Sequence, residues 1–337
     1  MVTHHEAHVY VVQGQKERDY SDCASAVATV GARTTVLPFM RDEREMIARM
    51  RDADALVVAF SPVTRGLMSA LEGLKTVVRT GVGYDVIDVP AATELGVIVV
   101  NIPDIWVREV ANHALALLLA WNRKIIDLDH QVRAGVWAGG IPGERTGSLH
   151  GETVGIVGLG NIGSAFARRV AALEMNVIAC DPYVDPGRFA ALGVERVSLE
   201  ALAERADYVS VHTLLNAETR HLIGEKFFRR MKPTAILINT SRGPVVDEAA
   251  LARALKEKRL AGAALDVWEE EPVRRDHPLL AMDNLIATPH AAYFSTAAVA
   301  AVPRRCGEEI ARVLSGQRPL NVVNPEVYAA GAARRAR

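Results

Sequence analysis

Arg242, Glu271 and His290 are a cation, a carboxylate and an imidazole, the side-chain types needed to move a proton at a carbon that neighbours an acid group. An imidazole titrates near neutrality, so a residue like His290 can take a proton in one direction and return it in the other. A guanidinium can grip a carboxylate through two parallel hydrogen bonds and polarise the carbonyl beside it, which suits Arg242. A carboxylate against an imidazole stabilises the charged ring, which suits Glu271. Each also has a plainer reading: Arg242 as a strand-end salt bridge, Glu271 as one solvated charge in Glu269-Glu270-Glu271, and His290 after Pro289 as a turn cap. Their positions weigh between the two.

The position is fixed by a second motif. Gly158-Leu159-Gly160-Asn161-Ile162-Gly163 follows the β-branched run Thr153 to Val157, and Asp181 closes the next apolar run, 18 residues past the last glycine. Gly158 allows a tight turn out of a strand, Gly160 lets backbone approach a pyrophosphate, and Gly163 lets the next helix pack closely on the sheet. Ile162, Phe166 and Val170 recur at helical spacing, so the glycines open a helix whose N–H groups and dipole face phosphate. Asp181 suits the adenosine ribose hydroxyls and repels a 2′-phosphate, which makes the expected cofactor NAD rather than NADP. A βα turn that binds no nucleotide is the plain alternative.

Short apolar runs recur at His8 to Val12, Thr34 to Leu37, Ala55 to Phe60, Lys75 to Val78 and Val97 to Val100. A second series runs through Thr153 to Val157, Asn176 to Cys180, Tyr208 to His212, Ala235 to Asn239, Gly262 to Asp266 and Leu285 to Thr288. Helical stretches such as Glu43 to Arg51, Leu199 to Arg205 and Glu248 to Lys256 lie between them, and hairpin signals are absent. That alternation predicts two doubly wound α/β domains with parallel sheets. Val107 to Trp121 reads as a long helix, apolar on nearly all sides, joining the two series or packing on a second subunit. Ala134 to Gly151 reads as an irregular arm or loop, Ala297 to Ser315 as a helix returning to the first domain, and Ala332 to Arg337 as a disordered tail.

In an open α/β sheet, ligands sit beyond the carboxyl ends of the strands. The polar residues there are Thr213, the stretch Thr240-Ser241-Arg242-Gly243, Asp266 and His290, with Glu271 five residues past Asp266. Hydride transfer between a hydroxyl-bearing carbon and a nicotinamide needs a base, an anchor for the acid end and a group to hold the base. His290, Arg242 and Glu271 supply one each. His212 reads as a packing residue and His113 lies in the connecting helix, no histidine pair has metal-site spacing, and Ser241 lacks a nucleophile-elbow sequence.

Half of the 337 residues are hydrophobic and the formal net charge is −1, which gives no electrostatic reason to expect nucleic acid or an anionic membrane as partner. No apolar stretch approaches a membrane span, and the first residues are not a secretory signal. Cys23, Cys180 and Cys306 are odd in number and widely spaced, against a disulfide framework or a cysteine-rich metal site. The expectation is a soluble cytoplasmic protein.

Over nearly its whole length the chain resembles the D-isomer-specific 2-hydroxyacid dehydrogenases. The resemblance is carried by Gly81-Val82-Gly83-Tyr84-Asp85, the glycines from Gly158 to Gly163, Asn239 to Gly243, Asp266-Val267-Trp268-Glu269-Glu270-Glu271-Pro272 and Thr288-Pro289-His290. It implies a discontinuous flavodoxin-like substrate domain, residues 1–104 plus 293–337, around a Rossmann NAD-binding domain of residues 105–292, and a homodimer. It implies Arg242, Glu271 and His290 as catalytic residues and Arg79, Val82, Gly83, Arg242 and His290 at the substrate. Beside the glycines, Leu159, Asn161, Ile162 and Asp181, it places Thr213, Leu214, Asn216, Thr240, Ser241, Arg242, Asp266, His290 and Ala292 at the cofactor, with Asp266 facing the nicotinamide carboxamide. Within the family, Asp181-Pro182-Tyr183, Leu215-Asn216 and His290-Ala291-Ala292-Tyr293 look closest to the C-terminal binding proteins, which carry tryptophan at the position of Tyr293. Phosphoglycerate dehydrogenase is a second neighbour, against which stands the end of the chain soon after the returning helix. Formate dehydrogenases lack the catalytic glutamate.

The expected function is NAD-dependent interconversion of a 2-oxo acid and a D-2-hydroxy acid with His290 as acid/base. The alternatives are an NAD(H)-sensing, corepressor-type interaction protein with vestigial dehydrogenase activity, and a short phosphoglycerate dehydrogenase. The identity of the acid is open: Ser61 to Arg65, Arg79, Trp268 and Tyr293 are the expected pocket wall.

Overall fold

All pairings between the strands are parallel in the computed structural model, which describes residues 6–14, 16–138, 140 and 147–329. The chain divides into two units, Met1–Trp106 with Ser295–Arg337, and Val107–Phe294.

The first unit holds β1 (His8–Val12), β2 (Arg33–Leu37), β3 (Ala55–Val58), β4 (Thr76–Arg79) and β5 (Ile98–Val100) in the order β2-β1-β3-β4-β5. The inner strands β3 and β4 are buried along their whole length, as continuous apolar runs in a doubly covered sheet must be, whereas β2 at the edge is half exposed. Met46, Met50, Leu56, Leu67, Met68, Leu71 and Leu74 fill one core layer. The long helix Thr296–Leu314 packs on the helix Ser21–Ala28 and on β4, so the end of the chain completes the unit its beginning started. Asn324 then pins the last segment, accepting from the Val99 N–H at 2.8 Å and donating to the Val97 carbonyl at 3.0 Å.

The second unit holds β6 (Thr153–Val157), β7 (Asn176–Cys180), β8 (Glu195–Arg196), β9 (Tyr208–Val211), β10 (Ile236–Asn239), β11 (Gly262–Leu265) and β12 (Leu285–Ala287) in the order β12-β11-β10-β9-β6-β7-β8. The chain winds outward from β6 to β8, returns beside β6 with β9, and winds the other way. That reversal between β6 and β9 is the switch point at which such sheets leave a crevice for a ligand. The helix Val107–Asn122 lies against the sheet, its Trp121 ring covering Gly262 so closely that a β-carbon there would come within 1.9 Å. Its apolar sequence is only partly buried: Ala114, Leu117 and Leu118 are inside, Leu115 and Leu119 half-buried and Ala116 exposed.

Among the elements outside the sequence reading, two show why they were missed. The strand β8 is two exposed residues at an edge, too short for any periodicity. The helix Ile125–Arg133 buries none of its residues, so its apolar positions carry no pattern that faces its own core. The expected tail 332–337 and part of the expected arm 134–151 lie outside the described residues. Among the described residues no helix is long and apolar enough to cross a membrane.

Candidate active site

The glycine turn sits at the switch point. Gly158 has φ +93°, and a β-carbon on it would come within 2.9 Å of the His212 carbonyl and the Thr213 nitrogen at the end of β9. A β-carbon on Gly163 would come within 2.1 Å of the Gly158 carbonyl oxygen, so the helix Asn161–Ala171 can close on the turn only with glycine there. Gly160 is the N-cap of that helix, brings no side chain to its first N–H groups and faces open space. The arrangement is an anion cradle of backbone donors with the positive end of a helix dipole behind it. Asp181 is partly exposed and orders the neighbouring turn: its Oδ2 accepts from Leu159 N at 2.8 Å, its Oδ1 from Tyr183 N at 3.0 Å and Val184 N at 3.2 Å. Its second lone pair on Oδ2 is the one that can take a ribose hydroxyl. Thr240 adds a further sign of a missing polar partner, because its buried Oγ1 has none among the described residues. Glycine cradle, uncapped helix, carboxylate and orphaned hydroxyl together fit a dinucleotide.

The other residues expected at the cofactor mostly shape their own loops. Asn216 Oδ1 accepts from Glu218 N and Thr219 N, at 2.9 and 3.0 Å, and closes a turn after Thr213 and the exposed Leu214. Ser241 Oγ donates to Asn239 Oδ1 at 2.9 Å, and Asn239 Nδ2 donates to the Arg242 carbonyl at 2.9 Å. His212 stands beside the turn with its ring 5.1 Å from that of Phe166 and its Nε2 2.8 Å from Ser210 Oγ, and burial pushes its pKa down to about 3. It packs as a neutral ring.

Glu271 and His290 meet at once: His290 Nδ1 is 2.6 Å from Glu271 Oε2. The other carboxylate oxygen, Oε1, accepts from Trp268 N at 3.0 Å, so the acid is aimed by backbone. Arg242 is linked to the same loop by its neighbour. A β-carbon on Gly243 would come within 1.9 Å of the Trp268 carbonyl carbon, so only glycine lets the turn after Arg242 press on the segment that carries Glu271. Arg242 itself has extended backbone and its guanidinium donates to the Ser241 carbonyl at 2.9 Å.

His290 has φ +51°, a conformation that costs a non-glycine residue free energy unless the surroundings hold it. Asp266, fully buried, does so: His290 N donates to its carbonyl at 2.7 Å, Ala291 N to its Oδ1 at 2.9 Å and Ala292 N to its Oδ2 at 2.9 Å. The sequence places Asp266 and Ala292 at the cofactor; here they bond each other and set the turn that carries the histidine.

Sequence reasoning missed the carboxylate clasp beneath the loop. Glu248 N donates to Glu269 Oε1 and Glu269 N to Glu248 Oε1, at 2.9 and 2.7 Å, while His277 Nε2 lies 3.1 Å from Glu248 and His221 Nε2 lies 3.2 Å from Glu269. Burial raises the Glu248 pKa. Nothing in a run of acidic residues announces which of them turns inward.

Arg79, Val82 and Gly83 belong to the five-stranded unit. Arg79 is buried at the end of β4 with its guanidinium 5.5 Å over the Phe60 ring, and a β-carbon on Gly81 would meet that guanidinium at 1.6 Å. The Val82 carbonyl accepts from Asn101 Nδ2 at 2.7 Å, which fixes the loop that contains Gly83.

A parallel sheet with a glycine cradle at its switch point and a carboxylate-held imidazole at the same edge defines a dinucleotide-dependent oxidoreductase. Residues 115–292 match the NAD-binding domain of the D-isomer specific 2-hydroxyacid dehydrogenases. The chain is 42% identical over 288 residues to a glyoxylate reductase of Korarchaeum cryptofilum, covering 85% of this chain and 87% of that one. It is equally identical over 288 residues to a D-3-phosphoglycerate dehydrogenase of Methanocaldococcus jannaschii, 84% of this chain but 54% of that protein, so it spans about half the length of that relative. The crystal structure of an NADPH-dependent glyoxylate/hydroxypyruvate reductase from Sinorhizobium meliloti, in complex with NADP and malonate, superposes with a TM-score of 0.85 at 30% identity, covering 98% of this chain and 99% of that one. The chain belongs to the D-isomer-specific 2-hydroxyacid dehydrogenases, oxidoreductases that act on CH–OH donors, and its cofactor is NAD.

Proposed function

We propose that the protein reduces a short 2-oxo acid, of the glyoxylate or hydroxypyruvate kind, to the corresponding 2-hydroxy acid, of D configuration where C2 is a stereocentre. The observation that carries this is the His290–Glu271 pair, 2.6 Å apart, at the carboxyl edge of the sheet whose switch point holds the glycine cradle. NADH, when bound, supplies the hydride for C2 of the acid. Arg242 grips the carboxylate and draws electron density from the neighbouring carbonyl. His290, protonated and held at Nδ1 by Glu271, gives the proton of Nε2 to the carbonyl oxygen; in oxidation the same nitrogen takes it back. Glu271 keeps the ring oriented and favours its charged form. The negative charge of Asp181 disfavours a 2′-phosphate, which supports NADH over NADPH. Relatives named as glyoxylate reductases, matched over most of their length, support the short acid.

The test is a screen of NADH oxidation against glyoxylate, hydroxypyruvate, pyruvate, 2-ketoglutarate and longer 2-oxo acids. Efficient turnover of one of the first two is the expected result, and no turnover of any would remove the enzymatic reading.

We further infer a homodimer. The helix Ile125–Arg133 buries nothing, and Ile125, Ile126, Val132, Val136 and Trp137, the last 92% exposed, are apolar side chains left in solvent along one stretch of chain, which a second copy would cover. Trp137→Lys should shift sedimentation toward a monomer; an unchanged sedimentation coefficient would count against this face.

A further inference from the structure

His113 lies in the helix Val107–Asn122, within a sequence otherwise rich in alanine and leucine, and no step above uses it. Its Nε2 is 3.1 Å from Thr288 Oγ1 and 3.5 Å from Asp266 Oδ1. Thr288 has one hydroxyl proton. Its Oγ1 stands 2.6 Å from Asp266 Oδ1, and since both oxygens of that carboxylate already accept backbone N–H bonds, the threonine is the donor. The proton between His113 and Thr288 must therefore come from the ring, so His113 carries its proton on Nε2. That N–H points into the bond by which Thr288 holds the carboxylate that fixes Ala291 and Ala292.

We propose that His113 is a positioning residue for the reaction, acting on His290 through Thr288 and Asp266. Asp266 is fully buried, and His113 Nε2 lies 3.5 Å from its Oδ1. Without the His113 donor, the Thr288 hydroxyl loses its fixed orientation and Asp266 Oδ1 loses a partner. The turn that holds His290 at φ +51° is then restrained by fewer bonds. The consequence is a histidine that still binds Glu271 but samples geometries unsuited to proton transfer. The proposal rests on His290 being the acid/base, as read above.

The test compares His113→Leu, which removes the donor, with His113→Gln, whose amide can still donate. In the full-length protein, amide exchange of residues 288–294 should rise about tenfold in the leucine variant, roughly the equivalent of one lost hydrogen bond, with little change elsewhere in the unit. With NADH and glyoxylate, kcat should fall about tenfold while KM for glyoxylate stays within about twofold, because the interaction acts on the transition state and not on binding. Glutamine should restore both, and Thr288→Val should be at least as severe as the leucine variant, which adds nothing to it in the double variant. Equal impairment by leucine and glutamine, unchanged exchange at 288–294, or exchange raised throughout the unit would each overturn the proposal. Exchange is read without substrate, so a wild type that reduced no 2-oxo acid would remove the role of His290 while the exchange result still decided whether His113 holds the turn.

Discussion

Two of the molecule's imidazole–carboxylate pairs, His8–Asp52 and His290–Glu271, look alike as residue types and sit at opposite edges of their sheets. In the first unit, His8 opens β1 at the amino edge; its Nδ1 is 2.9 Å from Asp52 and its Nε2 is 2.7 Å from Thr35 Oγ1. Hydroxyl, imidazole and carboxylate are there the parts of a nucleophilic triad. Yet the His8 ring is 3% exposed and both nitrogens are engaged, and Asp52 is shared with the Tyr10 hydroxyl and the Arg33 guanidinium, each at 2.8 Å. In the second unit, His290 follows β12 at the carboxyl edge, is 25% exposed, and is held in the left-handed region by Asp266. The same pair is a clasp where every donor is matched and the ring is sealed. It becomes a candidate for chemistry where the ring is partly exposed at a ligand-binding edge and the backbone bears strain to keep it there.

The largest effect should separate the two histidines directly. His290→Ala should lower kcat by about 10²- to 10⁴-fold, the usual contribution of a general acid, while the NADH affinity, read by fluorescence titration, changes little. His8→Ala should leave kcat near wild type and lower stability by about 1–3 kcal/mol, because a buried ring with matched bonds is lost. A folded His8→Ala protein with collapsed turnover would break the comparison. Next in size is Glu271→Gln, which keeps the shape but removes the charge that favours the protonated ring. A fall in kcat of about ten- to a hundredfold with a smaller change in KM is expected.

How far the site was legible follows from the kind of signal each residue carries. Every strand but the two-residue β8 was readable as an apolar run, and the glycine spacing marked the edge to search. Arg242, Asp266 and His290 drew attention because they follow the carboxyl ends of strands, and Glu271 because it lies five residues past Asp266. The bond from His113 to Thr288 was not: a histidine inside an apolar helix looks like packing until the fold brings position 288 against it, 175 residues away. The reciprocal Glu248–Glu269 clasp escaped for the same reason, since which member of an acidic run turns inward is decided by tertiary geometry. Asp266 was expected only at the nicotinamide carboxamide, whereas in the structure its carboxylate accepts from the Ala291 and Ala292 amides.

A third histidine sharpens the contrast through acid stability. Burial holds His212 neutral, with its pKa depressed from 6.5 to about 3. The unfolded chain therefore binds that proton first as acid is added, and the folded state loses stability as pH falls below the ordinary histidine value, down to about 3. Chemical denaturation at a series of pH values should show that slope, and His212→Gln should flatten it while keeping a partner for Ser210. Asp52 acts lower: the His8 hydrogen bond above all pulls its pKa from 3.8 to about 2, so the stability it adds is present above the ordinary carboxylate value and is lost as pH falls through about 2. If the slope above pH 4 belonged to the His8 cluster, His212→Gln would leave it unchanged.

The smallest expected effect is the one that asks whether the His8 cluster is only a clasp. Thr35→Val keeps the shape of the side chain and removes the hydroxyl on His8 Nε2. Thr35 is half-buried on a strand at the edge of the sheet, so the loss should be about 1 kcal/mol, with NADH oxidation unaltered. The same variant tests the chemistry the cluster imitates. A nucleophilic triad needs a hydroxyl that a substrate can reach and donors aimed at the oxygen of a tetrahedral intermediate. Here the base is sealed beneath its own hydroxyl and against the Tyr10 ring, with ring centroids 3.9 Å apart. Hydrolysis of p-nitrophenyl acetate by the wild type should therefore match that by Thr35→Val. A rate that depended on Thr35 would mean that closure of the ring does not silence the pair, and the distinction drawn between the two edges would have to rest on the strain at His290 alone.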